Sequence, residues 1–264
     1  MKNAVYILSS TRTPIGAYSG ELSTVSATEL GAVAIKDAVE KATIKSDQVE
    51  SIVMGNVLSA NLGQAPPRQA SMLAGLPEKT CATTVNKVCA SGMKAVSMVF
   101  NDIKLNNYEI GVAGGMENMS QVPHYLPNSR IGLGFGHGRL VDGMLKDGLT
   151  DEYNQTSMGV SGQKTAEKYN ISREEQDKYA IQSYVKSTNA WQNGLFENEI
   201  SEVSVTQRRG EPIVITEDET YKKANFDKMK KLRPAFSEKG TVTAANASPL
   251  NDGASALVIA GESF

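Results

Sequence analysis

Cys89 has the most distinctive chemical surroundings in this sequence, and it is one of only two cysteines in 264 residues. The preceding residues 83–85 (Thr-Thr-Val) are typical of the end of a strand, and from Ala90 apolar residues recur at steps of three and four, the spacing of a helix. The predicted apolar face of this helix consists of Met93, Val96, Phe100 and Ile103. Cys89 is therefore predicted at or just before a helix N-terminus, where free N–H groups and the positive end of the helix dipole stabilise a thiolate.

Spacing alone leaves two interpretations of Cys89 open. Small residues follow it at 90–92 (Ala-Ser-Gly), so a substrate carbonyl could approach the sulfur closely, as nucleophilic catalysis requires. Most free cysteines, however, are small buried residues, and a turn in the core would also accommodate one.

The elements that would position Cys89 alternate between strand and helix. Between the predicted strands, a capping box formed by Ser26 and Glu29 begins one helix, and Pro66 with Pro67 begins another. This alternation favours an α/β layered fold with a largely parallel sheet. The apolar runs that predict its strands, most of them buried, are residues 4–8, 52–58, 82–85, 110–114 and 254–260.

The composition changes between residues 116 and 160, which are rich in glycine and contain both histidines, His124 and His137. Long irregular excursions of this kind are usually functional or make contacts. The glycine-rich run at 132–138 neither follows a predicted strand nor opens a helix, which argues against a dinucleotide-binding loop. The histidines and cysteines also lack the spacing of zinc ligands.

A second capping box, Ser172 with Glu175, predicts a long helix that ends near Gly194. Its apolar stripe is expected to be a packing face. The stripe consists of Tyr179, Ile181, Tyr184, Val185 and Trp191.

Composition argues against several classes of function. The net charge is −2 with 40% hydrophobic residues, which gives no sign of a nucleic-acid or membrane-surface partner. No apolar run approaches a membrane span, and two cysteines do not make a disulfide framework, so a reducing compartment is favoured. The N-terminus lacks the features of a signal or transit peptide, which is consistent with a cytosolic protein or the mature form of an organelle protein.

The Cys89 segment, residues 86–93 (Asn-Lys-Val-Cys-Ala-Ser-Gly-Met), resembles the nucleophilic-cysteine motif of the thiolases, and more narrowly that of the mitochondrial-type acetoacetyl-CoA thiolases. The resemblance implies a thiolase-like N-terminal domain at residues 1–118 and 249–264, built from a layered mixed sheet with helices. It also implies an inserted α+β loop domain at residues 119–248, which binds coenzyme A and mediates oligomerisation. Further motifs that support the resemblance, in the expected order, are residues 11–16, 63–66, 113–120, 146–151 and 240–248.

The activity implied by the resemblance is that of an acetyl-CoA C-acetyltransferase, which condenses two acetyl-CoA molecules to acetoacetyl-CoA and catalyses the reverse thiolysis. Cys89 would carry the acetyl group, and no cofactor beyond the CoA thioester substrate would be required. Family members take their acid/base and oxyanion groups from Gly-His-Pro, Cys-x-Gly-Gly-Gly and Asn-Glu-Ala-Phe motifs, none of which occurs in these 264 residues. The alternative expectation is therefore a truncated, non-catalytic fragment that binds acyl-CoA or another subunit, with an apolar sheet face left uncovered.

The resemblance also implies binding residues by position. Tyr221 and the loop residues Ala244, Ala245 and Ala247 resemble a potassium site in which a phenol and backbone carbonyls bind the ion. Residues 124–142 match the family's tetramerisation loop, and a mitochondrial-matrix location is implied, with the cytoplasm as the alternative. The residues that correspond to the family's CoA groove are Leu149, Met158, Tyr221, Lys228, Phe236, Ala244, Ser248 and Leu250.

Cationic residues admit either a structural or an anion-binding interpretation. For Arg12, in a loop punctuated by Pro14 and Gly16, pinning its own turn or a neighbour is favoured over holding a phosphate. A later basic cluster is either a solvated loop or a site for the phosphates of an acyl-CoA. The cluster consists of Lys222, Lys223, Lys228, Lys230, Lys231 and Arg233.

Overall fold

The computed structural model describes residues 4–264. Its strands are β1 (Val5–Arg12), β2 (Gly16–Ala17), β3 (Ser51–Gly55), β4 (Cys81–Val85), β5 (Ile110–Asn118), β6 (His124–Tyr125), β7 (Val141–Asp142), β8 (Thr150–Asp151), β9 (Thr156–Ser157), β10 (Val203–Val205), β11 (Ile213–Ile215) and β12 (Asn251–Gly261). Its α-helices are α1 (Ala27–Lys41), α2 (Pro66–Leu73), α3 (Ser91–Lys104), α4 (Met158–Lys168), α5 (Arg173–Gln192) and α6 (Phe226–Met229). Short helical turns lie at Ser46–Gln48, Met119–Gln121, Ser129–Ile131, Leu145–Leu149 and Thr220–Lys223.

The main sheet has the strand order β1-β12-β5-β3-β4, and β2 pairs with the start of β12. β3 runs parallel to β4 and β5, whereas β12 is antiparallel to both β5 and β1. The prediction of a largely parallel sheet from strand–helix alternation is therefore wrong, and the sheet is mixed, as the resemblance implied. The cause is that β12 enters from the long segment after β5 and not through a strand–helix–strand crossover, which would have made it parallel.

Helices cover the sheet on both faces. On one face α1 and α2 pack against alternate strand residues such as Ile52, Met54 and Val258, which are fully buried. On the other face α3 packs Ala95 and Val99 against the sheet. Because successive strand residues point to opposite faces, β3 and β12 contribute to both clusters, and the result is a helix–sheet–helix sandwich.

The prediction that the first strand is buried is wrong. β1 exposes Tyr6, Ile7 and Leu8, because it is the outer strand of the sheet, where the helices give less cover. The helix predicted after Cys89 from its apolar spacing is confirmed as α3; of the residues that carried the spacing, Ile103 faces the sheet, whereas Met93 (73% exposed) and Phe100 (44% exposed) lie on the outer side. The expected uncovered sheet face is not present among the described residues, because α3 covers that face; the exposed apolar surface lies on the outer side of α3.

The segment between β5 and β12 carries α4, α5 and several two-stranded ribbons. The Ser172–Glu175 capping box is present at the start of α5, as is the Ser26–Glu29 box at α1. The packing-face prediction for α5 holds at its C-terminal end, where Trp191 stacks on Tyr221, but Tyr179 near the start is 76% exposed. No helix among residues 4–264 is both long and apolar enough to cross a membrane.

Candidate active site

Cys89 lies on a tight turn between β4 and α3, two residues before the helix begins, and its side chain is exposed. The predicted position at a helix N-terminus is confirmed, and the interpretation as a buried core cysteine is wrong. The preceding Val88 has φ of +51°, a left-handed conformation that is unfavourable for a β-branched residue. Such strain persists only where the surroundings enforce it, so the turn has a fixed shape that presents the sulfur to solvent.

Short hydrogen bonds hold this strained turn. Asn86 Oδ1 accepts from Val88 N at 2.9 Å, and Ser91 Oγ accepts from Lys87 N at 2.8 Å. Ser91 Oγ also donates to the carbonyl of Val88 at 2.6 Å. The first residue of α3 therefore secures the backbone on both sides of Val88, which sets the direction of Cys89.

The turn sits directly on the carboxyl end of β3, and glycine makes the approach possible. A Cβ atom on Gly55, at the end of β3, would lie 2.7 Å from Ser91 Cβ and 2.8 Å from Gly92 N. Real Cβ atoms do not come this close, so any larger residue at position 55 would push the cysteine turn away from the sheet.

An open cleft of about 450 Å³ lies beside the sulfur of Cys89. Its walls come from the ends of β1, β3, β5 and β12 together with the cysteine turn. The lining residues are Arg12, Ile15, Gly55, Val57, Val88, Cys89, Ser91, Gly92, 115–117 and 251–255. The arrangement suits attack by sulfur on a carbonyl carbon that enters from solvent.

Glu117 is a half-buried carboxylate in this cleft that had no predicted role. Its carboxylate accepts hydrogen bonds from Val57 N at 2.8 Å, Leu58 N at 3.1 Å and Asn56 Nδ2 at 3.0 Å. Burial raises the pKa of Glu117, and the backbone donors oppose that shift. Glu117 thus clamps the loop after β3, and an acidic residue within an otherwise apolar strand was the sequence signal for it.

Asp252, at the start of β12, is a second carboxylate in the cleft lining, and it is fully buried. It accepts from Ser120 N at 3.0 Å and from Ser120 Oγ at 2.5 Å. Burial raises the pKa of Asp252, against the effect of these hydrogen bonds. The bonds tie β12 to the segment that leaves β5.

A second hollow, of about 470 Å³, lies between the middle of α5 and the loop before β12. Four of the predicted binding residues meet here: Tyr221, Ala245, Ala247 and Ser248. Tyr221 is stacked on Trp191, with ring centroids 6.1 Å apart and planes 8° apart.

The other predicted binding residues lie outside the lining of both hollows. Met158 begins α4, and the ring of Phe236 packs against the adjacent Gly159. Lys228 is exposed on the short helix α6, and Leu149 is half-buried at the end of a helical turn. Leu250 is half-buried beside the second hollow, and Ala244 is exposed at the start of the loop whose later residues line it.

Arg12 is an internal anchor, as its structural interpretation predicted. Its guanidinium donates to Asp218 at 2.7 and 3.1 Å and to Glu199 at 2.6 Å, and it lies 5.0 Å above the ring of Phe196. Burial by itself lowers the pKa of Arg12, but the two carboxylates more than offset it, so the pKa is raised.

In the basic cluster, Lys222 pairs with Glu217 and Lys223 with Glu219. The remaining members, Lys228, Lys230, Lys231 and Arg233, are exposed and make no ion pair within residues 4–264. Two of the six cations are thus accounted for by local pairs, and four are available to an anion.

No group of three or more His, Cys, Asp or Glu side chains among the described residues is arranged to hold a metal ion. The predicted potassium ligands are a phenol and backbone carbonyls, which form a different kind of site. Tyr221, Ala245 and Ala247 line one hollow, whereas Ala244 lies just outside its lining, so the potassium site stays a prediction.

Comparison with known proteins places this geometry in a family. Residues 5–263 match the family described as "Thiolase, N-terminal domain". A probable acetyl-CoA acetyltransferase of Dictyostelium discoideum is 49% identical over 260 residues, which are 98% of this chain and 63% of the relative. A mitochondrial acetyl-CoA acetyltransferase of Rattus norvegicus is 51% identical, over 97% of this chain and 60% of the relative.

A cytosolic acetyl-CoA acetyltransferase of Gibberella zeae is 51% identical, over 98% of this chain and 65% of the relative. The crystal structure of the Acat5 thiolase from Ascaris suum in complex with coenzyme A superposes with a TM-score of 0.92 at 42% identity, covering 98% of this chain and 66% of that one. The chain thus spans 60–65% of the length of these three curated relatives, and the predicted thiolase-like α/β fold is confirmed. On its sequence and on its fold, the chain belongs to the thiolase family.

Proposed function

We propose that Cys89 is the nucleophile of an acetyl-CoA C-acetyltransferase, which condenses two acetyl-CoA to acetoacetyl-CoA and catalyses the reverse thiolysis. The observation that carries the proposal is an exposed cysteine on a strained turn that is held rigid against the sheet beside an open cleft. The acetyl-CoA acetyltransferase names of the relatives support the choice of substrate.

The first half-reaction is acyl transfer to sulfur. The Cys89 thiolate attacks the thioester carbonyl, a new bond forms between that carbon and Sγ, and the bond to the sulfur of CoA breaks. The CoA thiolate leaves and takes up a proton, and the enzyme keeps an acetyl-cysteine. In the second half-reaction a base removes an α-proton from another acetyl-CoA, the resulting carbanion attacks the acetyl carbon on Cys89, and the bond from that carbon to Sγ breaks to release the Cys89 thiolate.

The second hollow is suited to the nucleotide end of the same substrate. Tyr221 and the loop residues Ala245, Ala247 and Ser248 line it together, and unpaired cations such as Lys228 lie in the neighbouring segment. If potassium binds, the phenol of Tyr221 and carbonyls of loop 244–247 would hold it. The ion would then brace this hollow and take no part in bond making.

A second candidate function is an acyl-CoA-binding or subunit-interaction fragment without turnover. One observation favours it: neither His124 nor His137 lines the cleft, and the carboxylates there, Glu117 and Asp252, are already occupied by hydrogen bonds. The proton transfers of the full reaction need groups that residues 4–264 do not place at Cys89.

The proposal also includes what the resemblance implies about domains, assembly and location. These implications are a division into an αβ domain (1–118 and 249–264) and a loop domain (119–248), and a homotetramer assembled through residues 124–142. They also include a place in ketone-body metabolism in the mitochondrial matrix, with the cytoplasm as the alternative, since relatives are named for both compartments.

The test is acetylation of the chain by acetyl-CoA, followed by intact-protein and peptide mass spectrometry. The other exposed cysteine, Cys81, supplies a matched control. We expect one acetyl group on the wild type and on Cys81→Ala and none on Cys89→Ala. Acetylation that persists in Cys89→Ala would refute Cys89 as the nucleophile. A parallel assay of acetoacetyl-CoA thiolysis separates the two candidate functions, because acetylation without turnover is the behaviour of the fragment.

A further inference from the structure

We propose that Asp218 is a positioning residue that fixes the Cys89 cleft and the second hollow relative to one another, and so sets how an acyl-CoA thioester spans them. This inference rests on the proposed function, because it concerns a ligand that occupies both places.

The two hollows are neighbours that share a wall. Ile15 and Asn251 line both of them. Arg12 lines only the cleft and Asp218 lines only the second hollow, and their side chains join in a two-pronged ion pair with N–O distances of 2.7 and 3.1 Å. The pair therefore crosses from one hollow to the other.

The carboxylate of Asp218 holds three parts of this region at once. Besides Arg12, its Oδ1 accepts from the backbone N of Ile15, in the shared wall, at 2.8 Å. Its Oδ2 accepts from Trp191 Nε1 at 3.2 Å, and Trp191 in turn stacks on Tyr221 of the second hollow. The Asp218 carboxylate thus holds the cleft, the wall that the two hollows share and the aromatic side of the second hollow in fixed relative positions.

Burial makes this connection stiff. The side chains of Arg12 and Asp218 are 19% and 17% exposed, so water does not readily replace their hydrogen bonds. Four N–H groups converge on the two oxygens of Asp218, two on each. An asparagine keeps one oxygen, so Asp218→Asn leaves two of these N–H groups without an acceptor whichever way the amide turns.

The consequence depends on the length of the ligand. A complete acyl-CoA must place its thioester at Cys89 while its nucleotide end occupies the second hollow, so it is sensitive to the relative placement of the two. A truncated thioester such as S-acetyl-N-acetylcysteamine has the same reacting group and no nucleotide, so it is sensitive to the cleft alone. Loss of the positioning role therefore affects the two acetyl donors differently.

The experiment compares the rates at which these two donors acetylate Cys89 in the wild type and in Asp218→Asn. From two lost hydrogen bonds we expect the rate with acetyl-CoA to fall about ten-fold and the rate with the truncated donor to stay within about two-fold. Glu199→Gln is the matched control, because Glu199 is the other acidic partner of Arg12 but makes no bond to Ile15 or Trp191. We expect its acetylation rates with both donors to resemble those of the wild type.

Equal losses with both donors would show that Asp218 only supports the fold, and unchanged rates with both would show that it positions nothing; either result overturns the inference. The chain has a single tryptophan, so Trp191 fluorescence gives an independent titration with coenzyme A. If the wild type is not acetylated by either donor, the proposed function fails. The titration then decides the inference, which stands if Asp218→Asn weakens CoA binding about ten-fold and falls if the affinity is unchanged.

Discussion

Gly55→Ala is the substitution that most directly tests how the sheet positions Cys89. The added methyl group would meet Ser91 Cβ at 2.7 Å and Gly92 N at 2.8 Å, whereas ordinary contact begins at 3.4 Å. The turn must therefore retreat by roughly 0.7 Å from the end of β3, because neither obstacle is the flexible end of a side chain. Overpacking of this kind costs about 1–3 kcal/mol of folding free energy.

A displaced turn should slow the chemistry of Cys89 as well as weaken the fold. Small misplacements of a reacting group are costly, so we expect acetylation of Cys89 by acetyl-CoA to slow by at least about ten-fold. Denaturant unfolding measures the stability, and mass spectrometry of the acetylated protein measures the rate. The reasoning would be refuted if Gly55→Ala matched the wild type in both.

Gly115→Ala is the matched control for this variant. Gly115 lines the same cleft, but a Cβ atom there would lie 3.5 Å from Gly55 O and 3.8 Å from Gly92 Cα, which are ordinary contacts. It therefore adds the same methyl group without moving the turn. We expect it to stay close to the wild type in stability and in iodoacetamide labelling of Cys89, which separates displacement of the turn from simple crowding of the cleft.

Two further substitutions test the groups that hold the site. Ser91→Ala removes the acceptor of Lys87 N and the donor to the Val88 carbonyl, so we expect denaturant unfolding to show a loss of about 1–2 kcal/mol and alkylation of Cys89 to change in rate. Ser97 is exposed on the same helix, so Ser97→Ala should change neither the stability nor the alkylation rate. Equal behaviour of the two variants would contradict this reasoning. Glu117→Gln leaves one buried N–H without an acceptor and should cost about 1–3 kcal/mol at acidic pH. Because burial raises the pKa of Glu117, the folded wild type holds the carboxyl proton more tightly than the unfolded chain, and it loses stability as pH rises from the ordinary carboxyl range through the raised pKa. The variant has no such loss, so the difference in unfolding free energy between the two proteins should narrow as pH rises. A difference that widens with pH would show that the sign is wrong.

Local sequence signals predicted much of the fold. The two capping boxes form as expected at α1 and α5, because each depends on residues only three positions apart. The same holds for the position of Cys89, which follows from the end of one strand and the start of the next helix.

Features set by distant parts of the chain could not be predicted in this way. Arg12 is fixed by acids 187 and 206 residues further along the chain, and Glu117 by a loop about 60 residues before it. Which side of α3 is buried depends on the position of the sheet, since both sides of that helix carry apolar residues; the apolar spacing therefore predicted the helix but not the exposure of Met93 and Phe100.

The place of β12 in the sheet has a consequence for how the protein folds during synthesis. This strand lies between β1 and β5, and its partners in β1 are almost the whole chain apart, as in the pairing of Val5 with Gly261. Until about residue 261 has left the ribosome, β1 has no neighbour in the sheet and β5 has one open edge. Contacts of such long sequence separation form slowly, and unpaired edges invite association with other chains. β1 must therefore stay unpaired in the sheet until synthesis has passed residue 261, and the sheet closes only when β12 takes its place between β1 and β5.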